Sequence, residues 1–236
     1  MDERIPSGSK ILDKMLHGGY ERQSITTIYG PAGSGKSGLC MLACLSLARK
    51  DKKIIYVDTE NSFSAERLQQ IAPYDFEKII KQIIFLKPVS FEEQMNVFSK
   101  LKQAVNKTIG LVIVDTIGML YRIELGKGDK VYEVNRELGK QIAFLNEITR
   151  KKQIPVLIAN QVYSDFQKKD SVKLVGGDIL KYSSKCLIEL DITPHGNRKA
   201  TLKKHRSIET EKEITFKIVQ GGIIGTKEEK GFRLFR

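Results

Sequence analysis

A glycine-rich octapeptide between two apolar segments constrains the fold of this 236-residue chain more than any other feature. The octapeptide, residues 30–37, reads GPAGSGKS. The segment before it, residues 24–29 (SITTIY), has the composition of a buried strand. The segment that begins at residue 36 and runs to residue 50 is apolar nearly all round, as in a buried helix. This succession predicts the first strand–turn–helix unit of a parallel sheet covered by helices.

The remainder of the chain continues the alternation of short apolar strands with helical patterns. Strands are predicted at 53–58, 83–86, 110–115 and 155–160, and helices at 65–72, 76–81, 91–106 and 131–152. Four short strands at 186–193, 199–204, 213–219 and 222–225 follow, and they would extend the sheet antiparallel or form a small β appendage. The pattern predicts one α/β domain over residues 1–236. Its sheet would be mainly parallel, twisted and flanked by helices, with ligands at the carboxyl ends of the strands.

The octapeptide fits G-x-x-x-x-G-K-[ST], the phosphate-binding P-loop. Glycines let the loop curl so that successive backbone N–H groups point at phosphate oxygens. The following helix adds the positive end of its dipole. The lysine can reach the β- and γ-phosphates, and the last hydroxyl can bind Mg²⁺. The pattern therefore predicts ATP and Mg²⁺ as cofactors, held by Gly30, Pro31, Ala32, Gly33, Ser34, Gly35, Lys36 and Ser37.

A second motif supplies a carboxylate for the metal. Residues 111–115 read LVIVD, an apolar strand that ends in Asp115. A strand-end aspartate is common by itself, but after a P-loop it is typical of the Walker B motif. Ser37 and Asp115 are the predicted metal residues, with Asp115 acting through water.

Bulk composition restricts the possible partners. Lys and Arg outnumber Asp and Glu by 40 to 28, so the formal net charge is +12. This charge favours an anionic partner such as nucleic acid, and a lysine-rich surface kept for solubility or heat tolerance would have the same charge. No apolar run approaches the roughly 20 residues that span a bilayer, and no signal peptide is recognisable. Three irregularly spaced cysteines fit no disulfide framework, so we expect a reducing, cytoplasmic setting and no membrane.

A third motif resembles a known superfamily. Residues 56–68 read YVDTENSFSAERL, a strand end with Asp-Thr-Glu followed by a helix with Glu-Arg-Leu. This run resembles the RecA superfamily, in particular its archaeal and eukaryotic strand-exchange branch. The segments IPSG at 5–8, NQV at 160–162 and GGDIL at 176–180 resemble the same branch. The resemblance covers about residues 5 to 225, and it implies a RecA-like core that binds ATP and DNA in repair and homologous recombination.

The segment before the P-loop narrows the resemblance. Only 29 residues precede Gly30, which leaves no room for the helix-hairpin-helix DNA-binding domain of the main archaeal recombinase. No F-x-x-A polymerisation linker is found ahead of the core. The chain thus resembles a short archaeal paralogue of that recombinase. The resemblance implies an accessory or mediator protein with weak ATPase and no strand exchange of its own, and with the main recombinase or a junction nuclease as a possible partner.

The resemblance also implies roles for individual side chains. Glu60 matches the family's general base, which orients or polarises the attacking water. Gln161 matches the residue that contacts the γ-phosphate and couples it to the following loop. Arg67 matches a residue packed beside the adenine. The predicted catalytic residues are therefore Lys36, Glu60 and Gln161.

Two loops face DNA in the family, so the resemblance implies two DNA-facing loops here. The expected partner is single-stranded or branched DNA. Their predicted contacts are Arg122, Lys127, Lys130 and Arg136 in residues 121–136, and Lys168, Lys169 and Lys173 in residues 162–175. Asp165 and Asp170 reduce the net charge of the second loop to +1. Tyr163 and Phe166 would stack on bases or pack the loop down. A basic turn with Lys203, Lys204 and Arg206 would contact DNA, or a neighbouring subunit's nucleotide in an oligomer.

Three alternatives share the P-loop. A KaiC-like signalling ATPase or autokinase usually carries paired glutamates where this chain has Thr59 and Glu60. A small-molecule kinase would need a lid and an arginine cluster, and no insertion of that shape is present. The third alternative is a full strand-exchange filament protein.

Overall fold

Ten strands form one sheet with helices on both of its faces in the part of the chain that the structure, a computed structural model, describes: residues 4–128, 130–164 and 172–226. The sheet follows the order β12-β11-β10-β9-β3-β7-β6-β4-β5, and β8 pairs with β7. The six strands from β9 to β5 in that order are parallel neighbours, whereas β10, β11 and β12 are joined antiparallel. This architecture confirms the predicted fold class, and the last strands extend the sheet instead of forming an appendage.

The elements have the following bounds in chain order. The strands are β1 Arg4–Ile5, β2 Tyr20–Glu21, β3 Ile25–Gly30, β4 Lys53–Asp58, β5 Ile83–Leu86, β6 Ile109–Asp115, β7 Val156–Ser164, β8 Val172–Leu174, β9 Cys186–Ile192, β10 Arg198–Lys204, β11 Glu213–Val219 and β12 Gly222–Gly225. The helices are α1 Lys10–Met15, α2 Lys36–Ala48, α3 Ala65–Ile71, α4 Phe76–Ile80, α5 Phe91–Ala104, α6 Gly118–Leu125, α7 Val131–Lys152 and α8 Gly177–Ser183. β1 and β2 form a separate antiparallel pair.

Two hydrophobic clusters lie on opposite faces of the sheet. Helices α1 to α4 pack on one face and α5 to α8 on the other. Successive strand residues alternate between them: Tyr56 belongs to the first cluster, while Ile55 and Val57 belong to the second. The central strands β3 and β6 are buried over their whole length, as expected for parallel strands covered on both sides.

Strand register brings the functional motifs to one edge. Asp58 at the end of β4 is paired with Asp115 at the end of β6, and Gly30 at the end of β3 is paired with Gln161 on β7. Because parallel strands share a direction, the P-loop, the Walker B aspartate and the Asp-Thr-Glu segment meet at the carboxyl edge.

The region predicted as the first DNA-facing loop is mostly helical, which corrects the sequence analysis. Arg122 lies in the last turn of α6 and Arg136 lies within α7, so a short connection with Lys127 and Lys130 joins two helices. The amphipathic pattern of α7 was recognised, but α6 lies in a Gly- and Tyr-containing stretch too short to show a clear period.

Part of the second loop lies outside the described residues. This applies to Lys168 and Lys169, and to Asp165, Phe166 and Asp170. The backbone of Lys173 is described within β8, but its side chain is not. Among the helices of the described residues, none combines the length and apolar character of a membrane span.

Candidate nucleotide site and nucleic-acid face

The P-loop passes from the end of β3 into the first turn of α2. Gly33 and Gly35 have φ of +73° and +104°, which side chains rarely tolerate, so glycine is required there. The Lys36 ammonium lies over the loop and donates to the carbonyl oxygens of Gly30 at 2.9 Å and Pro31 at 2.8 Å. The loop is therefore a curled backbone with a cation held across its mouth.

Lys36 and Ser34 are buried within this cradle. Lys36 is only 8% exposed, and burial lowers the pKa of its ammonium, while the carboxylates of Asp115 and Glu60 oppose that shift. The hydroxyl oxygen of Ser34 is buried and has no hydrogen-bond partner among the described residues. A buried hydroxyl without a partner is costly, so this atom fits a site that a polar ligand completes.

Asp115 is fixed by two hydroxyl groups from the neighbouring strand and loop. The Tyr56 hydroxyl donates to Oδ2 of Asp115 at 2.7 Å, and the Ser62 hydroxyl donates to the same oxygen at 3.1 Å. Asp58 shapes that loop, because its carboxylate accepts from the backbone N–H groups of Ser62 at 2.9 Å and Phe63 at 3.2 Å. Both aspartates are 1% exposed.

Glu60 lies at the same edge and is held by two donors from separate strand ends. The Thr116 hydroxyl donates to Oε1 at 2.7 Å, and the Gln161 amide nitrogen lies 2.9 Å from both carboxylate oxygens. Thr59 closes the arrangement, since its hydroxyl donates to the Thr116 carbonyl at 2.7 Å. The structure therefore brings together Lys36, Asp115, Glu60 and Gln161, which sequence analysis had assigned separately.

Arg67 lies at the outer rim of the cradle. Its guanidinium donates to the carbonyls of Val219 at 2.5 Å and Gln220 at 3.0 Å, in the turn between β11 and β12. A Cβ added at Gly35 would lie 3.4 Å from Ile218, so the same hairpin also lines the P-loop. Arg67 thus ties α3 to the wall beside the loop.

The basic residues of the first DNA-facing region lie on the surface. Arg122, Lys127, Lys130 and Arg136 are all exposed. Lys127 pairs with Glu124 at 2.7 Å, and Arg136 lies 3.6 Å from Glu137. Such exposed pairs are weak and readily exchanged, so these cations can turn to a polyanion.

The basic residues at the end of β10 and just after it are paired with neighbouring groups, and the His205 ring is buried while Arg206 is 41% exposed. The Arg206 Nε lies 2.8 Å from Oε2 of Glu21, which is 4% exposed, and Arg4 lies 3.2 Å from the other oxygen. The ring of His205 is 1% exposed and 3.7 Å from Glu21, and burial lowers its pKa. Lys203 pairs with Glu211 at 2.9 Å, and Lys204 donates to the Lys181 carbonyl at 2.8 Å.

Sequence reasoning missed the residues that hold the acidic groups in place. Tyr56, Asp58 and Ser62 stand within a recognised segment and Thr116 directly follows one, but their residue types are common at strand ends and gave no separate signal. Their importance appears only when register places them beside Asp115 and Glu60.

Comparison with known proteins identifies the class defined by this fold and site. The Rad51 family model matches residues 3–226, which is nearly the entire described chain. The chain therefore belongs to the Rad51 family, and the RecA-like resemblance is confirmed.

Within this family the chain is similar to RadB proteins. It is 42% identical over 229 residues to the DNA repair and recombination protein RadB of Methanobrevibacter smithii, with 94% of this chain and 96% of that protein covered. It is 40% identical over 221 residues to RadB of Methanococcoides burtonii, with 94% and 97% covered. Among solved structures, the crystal structure of the RadB recombinase matches with a TM-score of 0.80 and 35% identity, covering 93% of this chain and 98% of that one.

Proposed function

We propose that this chain is a single-core ATP- and DNA-binding protein that acts in DNA repair and homologous recombination as an accessory to the main recombinase. One observation carries the proposal: the buried Lys36 ammonium of the P-loop lies within electrostatic reach of the carboxylates of Asp115 and Glu60 at one edge of the sheet. Proteins of RadB type, to which the chain is similar, are named for DNA repair and recombination.

The residues present fit ATP and Mg²⁺. The buried Ser34 hydroxyl lacks a partner within the described chain, and Lys36 is a buried cation bonded only to carbonyl oxygens there. Backbone N–H groups of the loop and Lys36 would hold the phosphates, and Ser37 with Asp115 would hold the metal, the aspartate through water. Mg²⁺, when bound, would neutralise charge on the β- and γ-phosphates.

Glu60 is the residue suited to activate water. Its carboxylate is half-buried and is oriented by Thr116 and Gln161 from two other strand ends. A carboxylate positioned in this way can accept a proton from a water aimed at the γ-phosphate. Oε1 accepts from both Thr116 and Gln161, whereas Oε2 accepts from Gln161 alone and keeps a lone pair for that water. We infer a weak ATPase from the resemblance to the short archaeal paralogues of the main recombinase.

DNA would bind on the face formed by the ends of α6 and α7 and by β8. The exposed cations at Arg122, Lys127, Lys130 and Arg136 are placed for phosphate contacts, which position nucleic acid without reading its sequence. Lys168, Lys169 and Lys173 are proposed for the same surface from their place in the sequence. Tyr163 is 42% exposed at the end of β7 and offers a ring for stacking on an unpaired base.

Labelled ATP with Mg²⁺ tests the proposal directly. The protein is incubated with γ-labelled ATP, with and without single-stranded DNA, and the products are separated. Slow release of inorganic phosphate together with DNA binding is the expected result. Label on the protein would favour a KaiC-like autokinase, and label on a small molecule would favour a kinase. Homologous pairing by the protein alone would favour a strand-exchange protein.

A further inference from the structure

Two adjacent residues of β7, where its pairing with β3 ends, connect the candidate nucleotide site to both proposed nucleic-acid-facing segments. Gln161 contacts Glu60, on the side of the nucleotide site. Asn160 precedes it, and neighbouring strand residues point to opposite faces of the sheet. Asn160 therefore points toward the layer of α5 to α8, where it is completely buried.

The Asn160 side chain lies against Gly118, just before the first segment, and Val175, at the end of the second. We call Gly118 and Val175 the roots of these segments. Its amide nitrogen donates to the carbonyl of Val175 at 2.6 Å, where the second segment returns from β8. On its other side lies Gly118, the first residue of α6, which leads to the first segment. A Cβ added at Gly118 would lie 2.6 Å from Oδ1 of Asn160 and 2.6 Å from a methyl carbon of Val175.

This contact is both tight and incompletely satisfied. Oδ1 of Asn160 is buried and has no hydrogen-bond partner in the described part of the chain. Buried acceptors usually have a donor, and one without a donor disfavours the arrangement that leaves it so. A second arrangement of Gly118 and Val175 that brings a backbone N–H group to Oδ1 would therefore lower the cost of burying this oxygen.

We propose that Asn160 is a positioning residue that joins the roots of both nucleic-acid-facing segments to the strand end that carries Gln161. A shift of Gln161 on nucleotide binding then moves Asn160, and Asn160 moves the Val175 and Gly118 roots together. This inference rests on the proposed function, because it presumes that both ATP and DNA bind. It adds a residue and a direction of coupling that the assigned site residues lack.

The test measures DNA affinity with and without ATP·Mg²⁺ for the full chain and for variants on both sides of the contact. Wild-type protein should change its affinity for a single-stranded oligonucleotide by about fivefold or more when ATP is present. Asn160→Ala should reduce this ratio to about one while ATP affinity stays within about threefold, since the Asn160 side chain donates to Val175 on the face of the sheet opposite α2. Gly118→Ala should have the same effect from the opposite side, by pushing on Asn160 and Val175.

Two control variants separate coupling from general destabilisation. Gly139→Ala changes a helical glycine of α7 that has open space around it. Thr27→Val removes a buried hydroxyl that is bonded to Ser184 at 2.7 Å on the central strand β3. Both controls should keep the wild-type ratio, even where unfolding occurs at a lower temperature.

Hydrogen exchange on the wild-type protein gives a measurement that no variant can confound. Addition of ATP·Mg²⁺ should change amide protection in residues 118–125 and 172–176 together. Unlinked changes in those two segments, or a wild-type ATP ratio retained by Asn160→Ala, would overturn the inference. A wild-type ratio of one with both ligands bound would overturn it as well. Failure of the wild-type protein to bind ATP at all would instead show that the proposed function is wrong.

Discussion

The candidate nucleotide site and the proposed nucleic-acid face differ in how their charged groups are held. At the nucleotide site Asp58 and Asp115 are 1% exposed, and each accepts at least two hydrogen bonds from its surroundings. On the proposed nucleic-acid face Arg122 and Arg136 are exposed, and Arg136 lies 3.6 Å from its neighbour in the sequence, Glu137. A reaction needs fixed geometry, whereas attraction to a phosphate backbone needs only mobile charge near a surface.

The basic turn after β10 shows that composition alone does not distinguish these two kinds of region. Its sequence has two lysines, a histidine and an arginine and resembles the proposed nucleic-acid face, but its histidine is buried and its partly exposed arginine is paired with the buried Glu21. The buried carboxylate of Glu21 is the reason, since it draws Arg4, His205 and Arg206 to one point. Charge in a sequence therefore predicts a ligand only where no buried counter-charge is present.

The largest effect should come from Lys36→Ala. Loss of the only lysine of the P-loop should weaken ATP binding by at least about a hundredfold, because charge-assisted hydrogen bonds contribute about 1.5–3 kcal/mol each. Titration with a fluorescent ATP analogue measures the loss. Circular dichroism should show an intact fold, and the control Lys50→Ala, at an exposed site beyond the other end of α2, should bind normally. Normal binding by Lys36→Ala would show that the phosphate site is elsewhere.

Glu60→Gln should affect turnover and spare binding. An amide cannot accept the proton of the attacking water, so phosphate release should fall by about a hundredfold, a typical loss for a general base. ATP affinity should stay near the wild-type value, because Glu60 does not belong to the P-loop cradle. Steady-state phosphate release and ATP titration are compared with Glu66→Gln, an exposed carboxylate on α3. Turnover unchanged in Glu60→Gln would exclude Glu60 as the base.

Glu21→Gln should lower stability without changing DNA binding. The neutral side chain would leave Arg4 and Arg206 without their buried counter-charge, and removing one partner from such a cluster costs about 2–3 kcal/mol where the cations are partly exposed. Urea unfolding measures the free energy, with the exposed Glu209→Gln as the matched control. If Glu21→Gln had normal stability and altered DNA affinity, the basic turn would have to be counted among the DNA contacts.

The smallest effect concerns the nucleic-acid face itself. The double change Arg122→Gln and Arg136→Gln should flatten the slope of log K against log salt by about 1.4 units, since each phosphate contact to a single strand contributes about 0.7. Fluorescence anisotropy at several salt concentrations measures the slope. The control pair Lys107→Gln and Lys152→Gln removes the same charge at exposed sites near the amino edge of the sheet. An equal change in both pairs would mean that net charge, and not this face, attracts DNA.

The fold class, the P-loop and most element bounds were predictable from the sequence alone. Strand β4 at Lys53–Asp58 and helix α7 at Val131–Lys152 were predicted to the residue. These features are local: a glycine spacing or a hydrophobic period is complete within a few turns of chain. The same applies to the Asp-Thr-Glu segment, whose resemblance to the RecA superfamily is carried by adjacent residues.

Which side chains meet could be seen only in the folded protein. Glu60 and Gln161 are 101 residues apart, and Arg4 and Glu21 are joined to a turn that follows β10. The contact of Asn160 with Gly118 and Val175 likewise depends on three separate segments packing at one point. Such contacts are set by strand order and register, which no short stretch of sequence encodes. For this reason the P-loop could be recognised from the sequence, whereas the hydrogen-bond partners of the acidic groups and the contacts of the basic turn with Glu21 could not.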